Sequence, residues 1–363
     1  MASSEACRAA GAASDAAAAA LRRGVVLPAH PLALDAARRL DERRQRALSR
    51  YYLAAGAGGL AVGVHMTQFA IRDPRAGLFE PVLALAAEEM DRAEQRGAAP
   101  LVRVAGVCGA TRQAVAEAEA ARRHGYRYGL VNLGALRGAT PAALVDHCRE
   151  ISAVIELFGF YLQPAVGGLD LPYAFWRAFC DIDRVAAIKI AAFDRYRTLE
   201  VVRAVVDSGR DDVALYTGND DNIVVDLLTP FVFRRGSEAA SRRFVGGLLG
   251  QWAVWTRRAV ELLDACHAAA DGPRSLDDWA TLAMQWTDAN AALFDAAHRF
   301  QGCIPGIHEV LRRQGLLAGC WCLDEHERLS PGQAAEIDRI CQAYPHLRDD
   351  DFVAAGRDAW LAA

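Results

Sequence analysis

Val185-Ala186-Ala187-Ile188-Lys189-Ile190-Ala191-Ala192 is an apolar run of strand length that carries a single charge. That charge is the only lysine among 363 residues, since the 41 basic side chains are 40 arginines and Lys189. Where this chain needs a plain positive charge it uses arginine, so a solvated surface does not account for Lys189. Arginine stays protonated and is no nucleophile, whereas a desolvated lysine sheds its proton near neutral pH and attacks a carbonyl carbon. The reading is an imine-forming (Schiff-base) nucleophile on a buried strand; the plainer alternative is a side chain that snorkels out of a strand end. A charge inside such a run is costly unless it is paired or used.

Outward from this strand, short apolar runs alternate with longer amphipathic ones from Gly24 on. Residues 25–28, 60–64, 101–107, 128–133, 158–163, 185–190, 213–217 and 244–248 read as strands, each with a helix-spaced segment behind it. The first helix is expected over 33–55, stopped by Gly58-Gly59. Thr140-Pro141 is a cap-then-proline start, and a helix over 220–228 follows the seventh strand. Eight such units, with strands apolar on both faces, predict a closed (β/α)8 TIM barrel over residues 23–270. Residues 275–301, 304–314 and 331–344 read as helices only, so 271–363 forms a C-terminal helical extension. Residues 1–22 read as a disordered or frayed alanine-rich leader.

Composition narrows the partners. A net charge of -4 with interspersed signs offers no basic stripe for nucleic acid, and no apolar run approaches the ~18 residues that span a bilayer. The nine cysteines are scattered, and only Cys320-Trp321-Cys322 lie close together, with nothing at zinc-site spacing to pair with them. Reduced thiols in a cytoplasmic protein follow. No metal and no organic cofactor is expected, because a lysine supplies the electrophilic activation itself.

In such a barrel the chemistry sits where strands end at the C-terminal face. That rule selects His30, His65, Thr67, Gln68, Cys108, Asn132, Tyr161, Gln163, Lys189, Asn219 and Asp220. Tyr161 ends strand five, 28 residues before Lys189. Adjacent parallel strands lie ~4.8 Å apart, so a phenol at matched height on the same face would relay protons while the imine forms. Alternatively Tyr161 is a half-buried aromatic with a satisfied hydroxyl. Asp220 has helix capping as its plainer role.

Phe160-Tyr161-Leu162-Gln163-Pro164, the Ile188-Lys189 strand, and Tyr216-Thr217-Gly218-Asn219-Asp220-Asp221 resemble the dihydrodipicolinate synthase and N-acetylneuraminate lyase family. The similarity runs from about Gly24 to Tyr344. It implies Schiff-base-forming aldolases and lyases on a (β/α)8 barrel, with Lys189 forming the imine with a 2-oxo acid such as pyruvate and Tyr161 as proton shuttle. It also implies a homo-oligomer, a dimer or tetramer. The expected substrate-binding residues are His65, Val64, Thr67, Asn132, Gln163, Asn219 and Gly218.

Two departures matter. The family carries Gly-Thr-Thr-Gly-Glu after strand two, where a threonine hydroxyl and backbone amides hold the pyruvate carboxylate. This chain has Gly63-Val64-His65-Met66-Thr67-Gln68 there, so the hydroxyl pair has become Val64 and His65. His65 either replaces it as a cationic or hydrogen-bonding contact or only packs against the loop. The proline-tyrosine-tyrosine segment after strand four is replaced by Asn132-Leu133-Gly134-Ala135-Leu136, which argues against lysine biosynthesis. The rival readings are the same imine chemistry on a carbonyl compound that lacks the pyruvate carboxylate, and a catalytically lapsed barrel that binds a small ligand.

Overall fold

The short apolar runs become strands buried on both faces, because helices cover the outside of the sheet and side chains fill its inside. The structure, a computed structural model, describes residues 13, 15–270, 272 and 275–362. The strands are β1 (Val26–Pro28), β2 (Gly59–Val62), β3 (Val102–Val107), β4 (Tyr128–Val131), β5 (Glu156–Leu162), β6 (Val185–Ala191) and β7 (Ala214–Thr217). An antiparallel hairpin of β8 (Phe231–Arg235) and β9 (Glu238–Arg242) follows, and then β10 (Phe244–Leu249). Except for the hairpin, the strands form one parallel sheet in the order β1-β10-β7-β6-β5-β4-β3-β2. It closes on itself: Ala29 bridges Ala61 in parallel, and the His30 amide donates to the Ala61 carbonyl at 2.8 Å.

The helices are α1 (15–23), α2 (Glu42–Ala54), α3 (Phe79–Gln95), α4 (Thr111–Arg123), α5 (Pro141–Val154), α6 (Tyr173–Phe179) and α7 (Arg195–Ser208). They continue with α8 (Ile223–Leu228), α9 (Thr256–Ala270), α10 (Leu276–Leu293), α11 (Cys303–Arg313), α12 (Gln333–Ala343) and α13 (Asp350–Leu361). The TIM barrel with helical extension is therefore present as expected, with four corrections in detail.

First, the opening helix starts at Glu42 rather than near residue 33. Asp35 turns the chain by accepting from the Ala37 and Arg39 amides, and Asp41 caps α2 by accepting from the Arg44 amide at 3.1 Å. Second, residues 15–22 of the expected frayed leader lie in α1, whose Leu21 is 1% exposed. The Tyr216 hydroxyl, inside the barrel, donates to the Leu21 carbonyl at 2.9 Å, so α1 plugs the N-terminal end. Residues 1–12 and 14 lie outside the described residues. Third, the hairpin had no signal, being arginine-rich and largely exposed. Fourth, α13 packs back on the first barrel helix, with the Trp360 and Phe352 rings 5.5 and 6.3 Å from Tyr51. No helix was expected over 350–361, and this one ties the extension to the barrel. Among the described residues, no helix is long and apolar enough to cross a membrane.

Candidate active site

Lys189 faces the barrel interior near the C-terminal end of β6. In register, Lys189 lies beside Phe160 on β5 and Tyr216 on β7. It is 7% exposed, and its Nζ sits 4.6 Å from the centre of the Phe160 ring. The stem has room because residue 218 lacks a side chain: a Cβ on Gly218 would lie 2.5 Å from Lys189 Cε and 2.8 Å from Ala191 Cβ. Among the described residues Nζ forms no hydrogen bond. Burial pushes its pKa well below the usual lysine value of 10.5, against an opposing pull from Asp220 and Cys303.

The amine opens on a cavity of about 40 Å³ lined by Lys189, Asp220, His65, Gln163, Gly218 and Cys303 among its polar or small members. Asp220 does not cap α8, which begins after Asn222. Instead its Oδ1 accepts from the Gln251 amide at 2.8 Å and its carboxyl is turned to the cavity. Burial raises its pKa, while that hydrogen bond and the Lys189 charge pull it down. Desolvation therefore shifts both groups toward their uncharged forms, while the charge of each favours the ionised form of the other. His65 is pushed down to about 4 by burial and by Lys189, so its ring is neutral at pH 7. Of the two readings of His65, a cationic or hydrogen-bonding contact or packing against the loop, a neutral ring disfavours only the cationic form of the first.

The strand-end residues separate into two groups. Val64, His65, Gln163, Lys189, Gly218 and Asp220 converge on the cavity. Thr67, Asn132, Asn219 and Tyr161 do not line it. The Thr67 hydroxyl donates to the His30 carbonyl at 2.6 Å and accepts from the Gly63 and Val64 amides, so it builds the loop after β2. Asn132 accepts from the Gly134 amide at 2.8 Å. Asn219, fully buried, accepts from the Phe193 amide and donates to Asp226, which fixes the loop from behind. These three hold backbone, where contact with substrate was expected. His30, Gln68 and Cys108 likewise lie outside the lining.

Tyr161 is the largest correction. Its hydroxyl donates to Asp170 Oδ1 at 3.0 Å and accepts from the Leu171 amide, and its ring stacks on Trp176 of α6, centres 5.8 Å apart. The phenol thus faces out of the barrel. The cause is a register shift between Leu157 and Phe158. Leu157 pairs with Val185, 28 residues on, but Phe158 pairs with Ala187, 29 residues on, and the longer offset holds from there to Leu162. One extra residue in a strand exchanges its inner and outer faces, so Phe160 rather than Tyr161 meets Lys189.

Sequence reasoning missed the aromatic wall. Phe160, Phe193, Phe294 and Phe300 line the cavity, with Cys303 from the start of α11. A positive φ at Phe193 (50°) and Phe300 (67°) was not foreseeable from side chains that rarely adopt it. Phe160 carried the one available signal, since strict alternation from Lys189 in a correct register would have selected it.

A larger cavity, about 940 Å³, lies at the opposite end of the barrel beside Arg23, Arg50, Arg92 and Trp360. It contains none of the expected site residues and lies at the N-terminal end, opposite the face where barrel active sites sit. Among the described residues, no three His, Cys, Asp or Glu side chains are grouped to hold a metal ion.

No family profile and no curated protein sequence matches this chain. Solved structures do. It is similar to N-acetylneuraminate lyase from Fusobacterium nucleatum at 14% identity, with 90% of this chain and 99% of the other covered and a TM-score of 0.69. It is similar to dihydrodipicolinate synthase from Oceanobacillus iheyensis at 18% identity, over 89% and 97% of the two chains, TM-score 0.68. A third is the E. coli K12 prophage protein YagE, of the dihydrodipicolinic acid synthase family and in complex with pyruvate, at 17% identity over 90% and 99%, TM-score 0.70. The barrel, its helical extension and its nearly full overlap give this chain the fold of the dihydrodipicolinate synthase and N-acetylneuraminate lyase structures.

Proposed function

We propose that this chain is a Schiff-base-forming lyase or aldolase of the dihydrodipicolinate synthase family, acting on a small carbonyl compound. The observation that carries the reading is Lys189: the one lysine of the sequence, buried, free of hydrogen bonds among the described residues, and turned into the cavity at the C-terminal end of the barrel. The neutral amine adds to the carbonyl carbon, the carbinolamine loses water, and the protonated imine draws electrons from the neighbouring bond as it breaks. Asp220, facing the same cavity with a raised pKa, is the group that gives and takes the protons. Tyr161 has no part in these steps, since its hydroxyl is bound on the far side of β5.

A 2-oxo acid such as pyruvate is the substrate that the family resemblance implies. The solved relative in complex with pyruvate supports it at the level of fold. Binding of its carboxylate would rest on backbone amides near Val64 and His65, because no hydroxyl pair remains there. The same reading includes a homo-oligomer working in the cytoplasm, which light scattering on the purified chain checks in its first part. Borohydride trapping tests the chemistry: incubation with a carbonyl compound and reductant yields a stable adduct, and peptide mapping places it on Lys189. Adducts confined to the N-terminal amine would reject the proposal.

A further inference from the structure

The charges and walls of the cavity select a substrate class. Resting on the imine reading above, we propose that Lys189 condenses with an uncharged aldehyde or ketone bearing a flat apolar body, in preference to a 2-oxo acid.

Counting charge is the first argument. Among the cavity-lining residues Lys189 is the only cationic side chain and Asp220 the only acidic one, and His65 is neutral at pH 7. After condensation the nitrogen is a protonated imine, and Asp220 as carboxylate balances it. An uncharged substrate leaves the sum at zero. A 2-oxo acid adds a second carboxylate to a buried site whose lining has no arginine to receive it, and burying an unpaired charge is unfavourable. Hydroxyls do not remedy this. Val64 and His65 have none, and the one nearby, on Thr67, is spent on the His30 carbonyl and on two backbone amides.

The walls are the second argument. Phe160, Phe193, Phe294 and Phe300 line the cavity on which the amine opens, and aromatic faces favour other flat apolar groups at offset or edge-on contact. Phe193 and Phe300 meet edge to face, centres 5.6 Å apart. Both are held at positive φ, a costly conformation for a phenylalanine that persists only where surrounding contacts fix it. Those contacts are present. The Phe193 amide donates to Asn219 Oδ1, and the Phe300 amide donates to the carbonyl of Asp295, whose side chain is itself held by the Gly302 amide and Ser330. Two strained backbones thus project two rings into one mouth. The free space in the cavity is about 40 Å³, room for a few water molecules. A flat apolar guest that displaces the Phe193–Phe300 contact replaces ring-to-ring contact with ring-to-guest contact. A carboxylate there forfeits its hydration and meets no cationic side chain besides Lys189.

Four ketones separate the two arguments: acetone, pyruvate, phenylacetone and phenylpyruvate. Each is incubated with the full-length protein and cyanoborohydride, adduct formation at Lys189 is read by mass, and rates are divided by those of a model lysine amide to remove intrinsic reactivity. Phenylacetone is expected to exceed phenylpyruvate and acetone by about tenfold or more each, the size of effect an apolar pocket gives per group. Phe300→Ala should shrink the phenylacetone-to-acetone ratio about fivefold. Equal or faster trapping of pyruvate or phenylpyruvate would overturn the proposal while leaving the imine chemistry intact, as would a phenylacetone-to-acetone ratio near one. Absence of any Lys189 adduct with all four would instead reject the Schiff-base reading itself, and this inference with it.

Discussion

The two faces of β5 carry adjacent aromatic residues with opposite fates. Phe160 looks inward at the Lys189 amine from 4.6 Å, and Tyr161 looks outward, stacked on Trp176 and bonded to Asp170. One face has an acid, an amine and no phenol; the other has a phenol and no chemistry. The difference shows that a proton relay is a matter of which face a side chain occupies, and spacing along the chain fixes that only if the register is unbroken.

The comparison is broken most directly at the inner face. Lys189→Arg keeps a cation in place but removes the nucleophile, so adduct formation should fall to background while circular dichroism stays that of the wild type. Persistent trapping at position 189 is impossible by construction, and an undiminished total adduct yield would move the chemistry elsewhere.

Asp220→Asn comes next. Asparagine still accepts from the Gln251 amide but cannot transfer a proton, and the turnover of any identified substrate should drop by ~100-fold or more. A second readout follows from sign. The Asp220 charge holds the lysine pKa up, so its removal shifts the midpoint of the pH–trapping curve to lower pH. In the wild type, trapping should rise with pH and level off below 10.5, because only the neutral amine attacks and burial has lowered its pKa. A midpoint at the ordinary lysine value would show an amine in water.

Gly218→Ala sharpens the inner face further. A Cβ placed 2.5 Å from Lys189 Cε forces the stem aside, with an expected loss of ~10-fold in trapping and ~1–3 kcal/mol in stability, the range for an overpacked core. The smallest effect belongs to the outer face. Tyr161→Phe removes the hydrogen bond to Asp170 and the weaker one from the Leu171 amide, so it should cost ~1–2 kcal/mol of stability and leave trapping within about twofold. A loss of two orders of magnitude there would restore the phenol as the relay and reject the observed register.

The barrel was legible because eight apolar runs at strand length, each followed by helical spacing, admit few other arrangements. Its ends were less so. α1 reads as a leader because alanine carries little hydrophobic signal, yet Leu21 and the neighbouring alanines bury themselves against the bottom of the barrel. Within the site, Gln163 and Gly218 follow from the rule that strand ends face the cavity, whereas Thr67 and Asn219 follow the same rule and instead hold loops. Residue type alone does not distinguish a polar group that holds backbone from one that meets a ligand.

By itself the sequence determined the order of strands and helices and singled out Lys189, because hydrophobic period and the use of one lysine against forty arginines are properties of the chain read in one dimension. Tertiary structure alone decided what surrounds that amine. An extra residue in β6 opposite β5 turned Phe160 in and Tyr161 out, and folding brought Phe193, Phe294, Phe300 and Cys303 from distant segments to close the mouth. Pairing register and long-range packing are set by the free energy of the whole sheet and its covering, and no local stretch of sequence contains them.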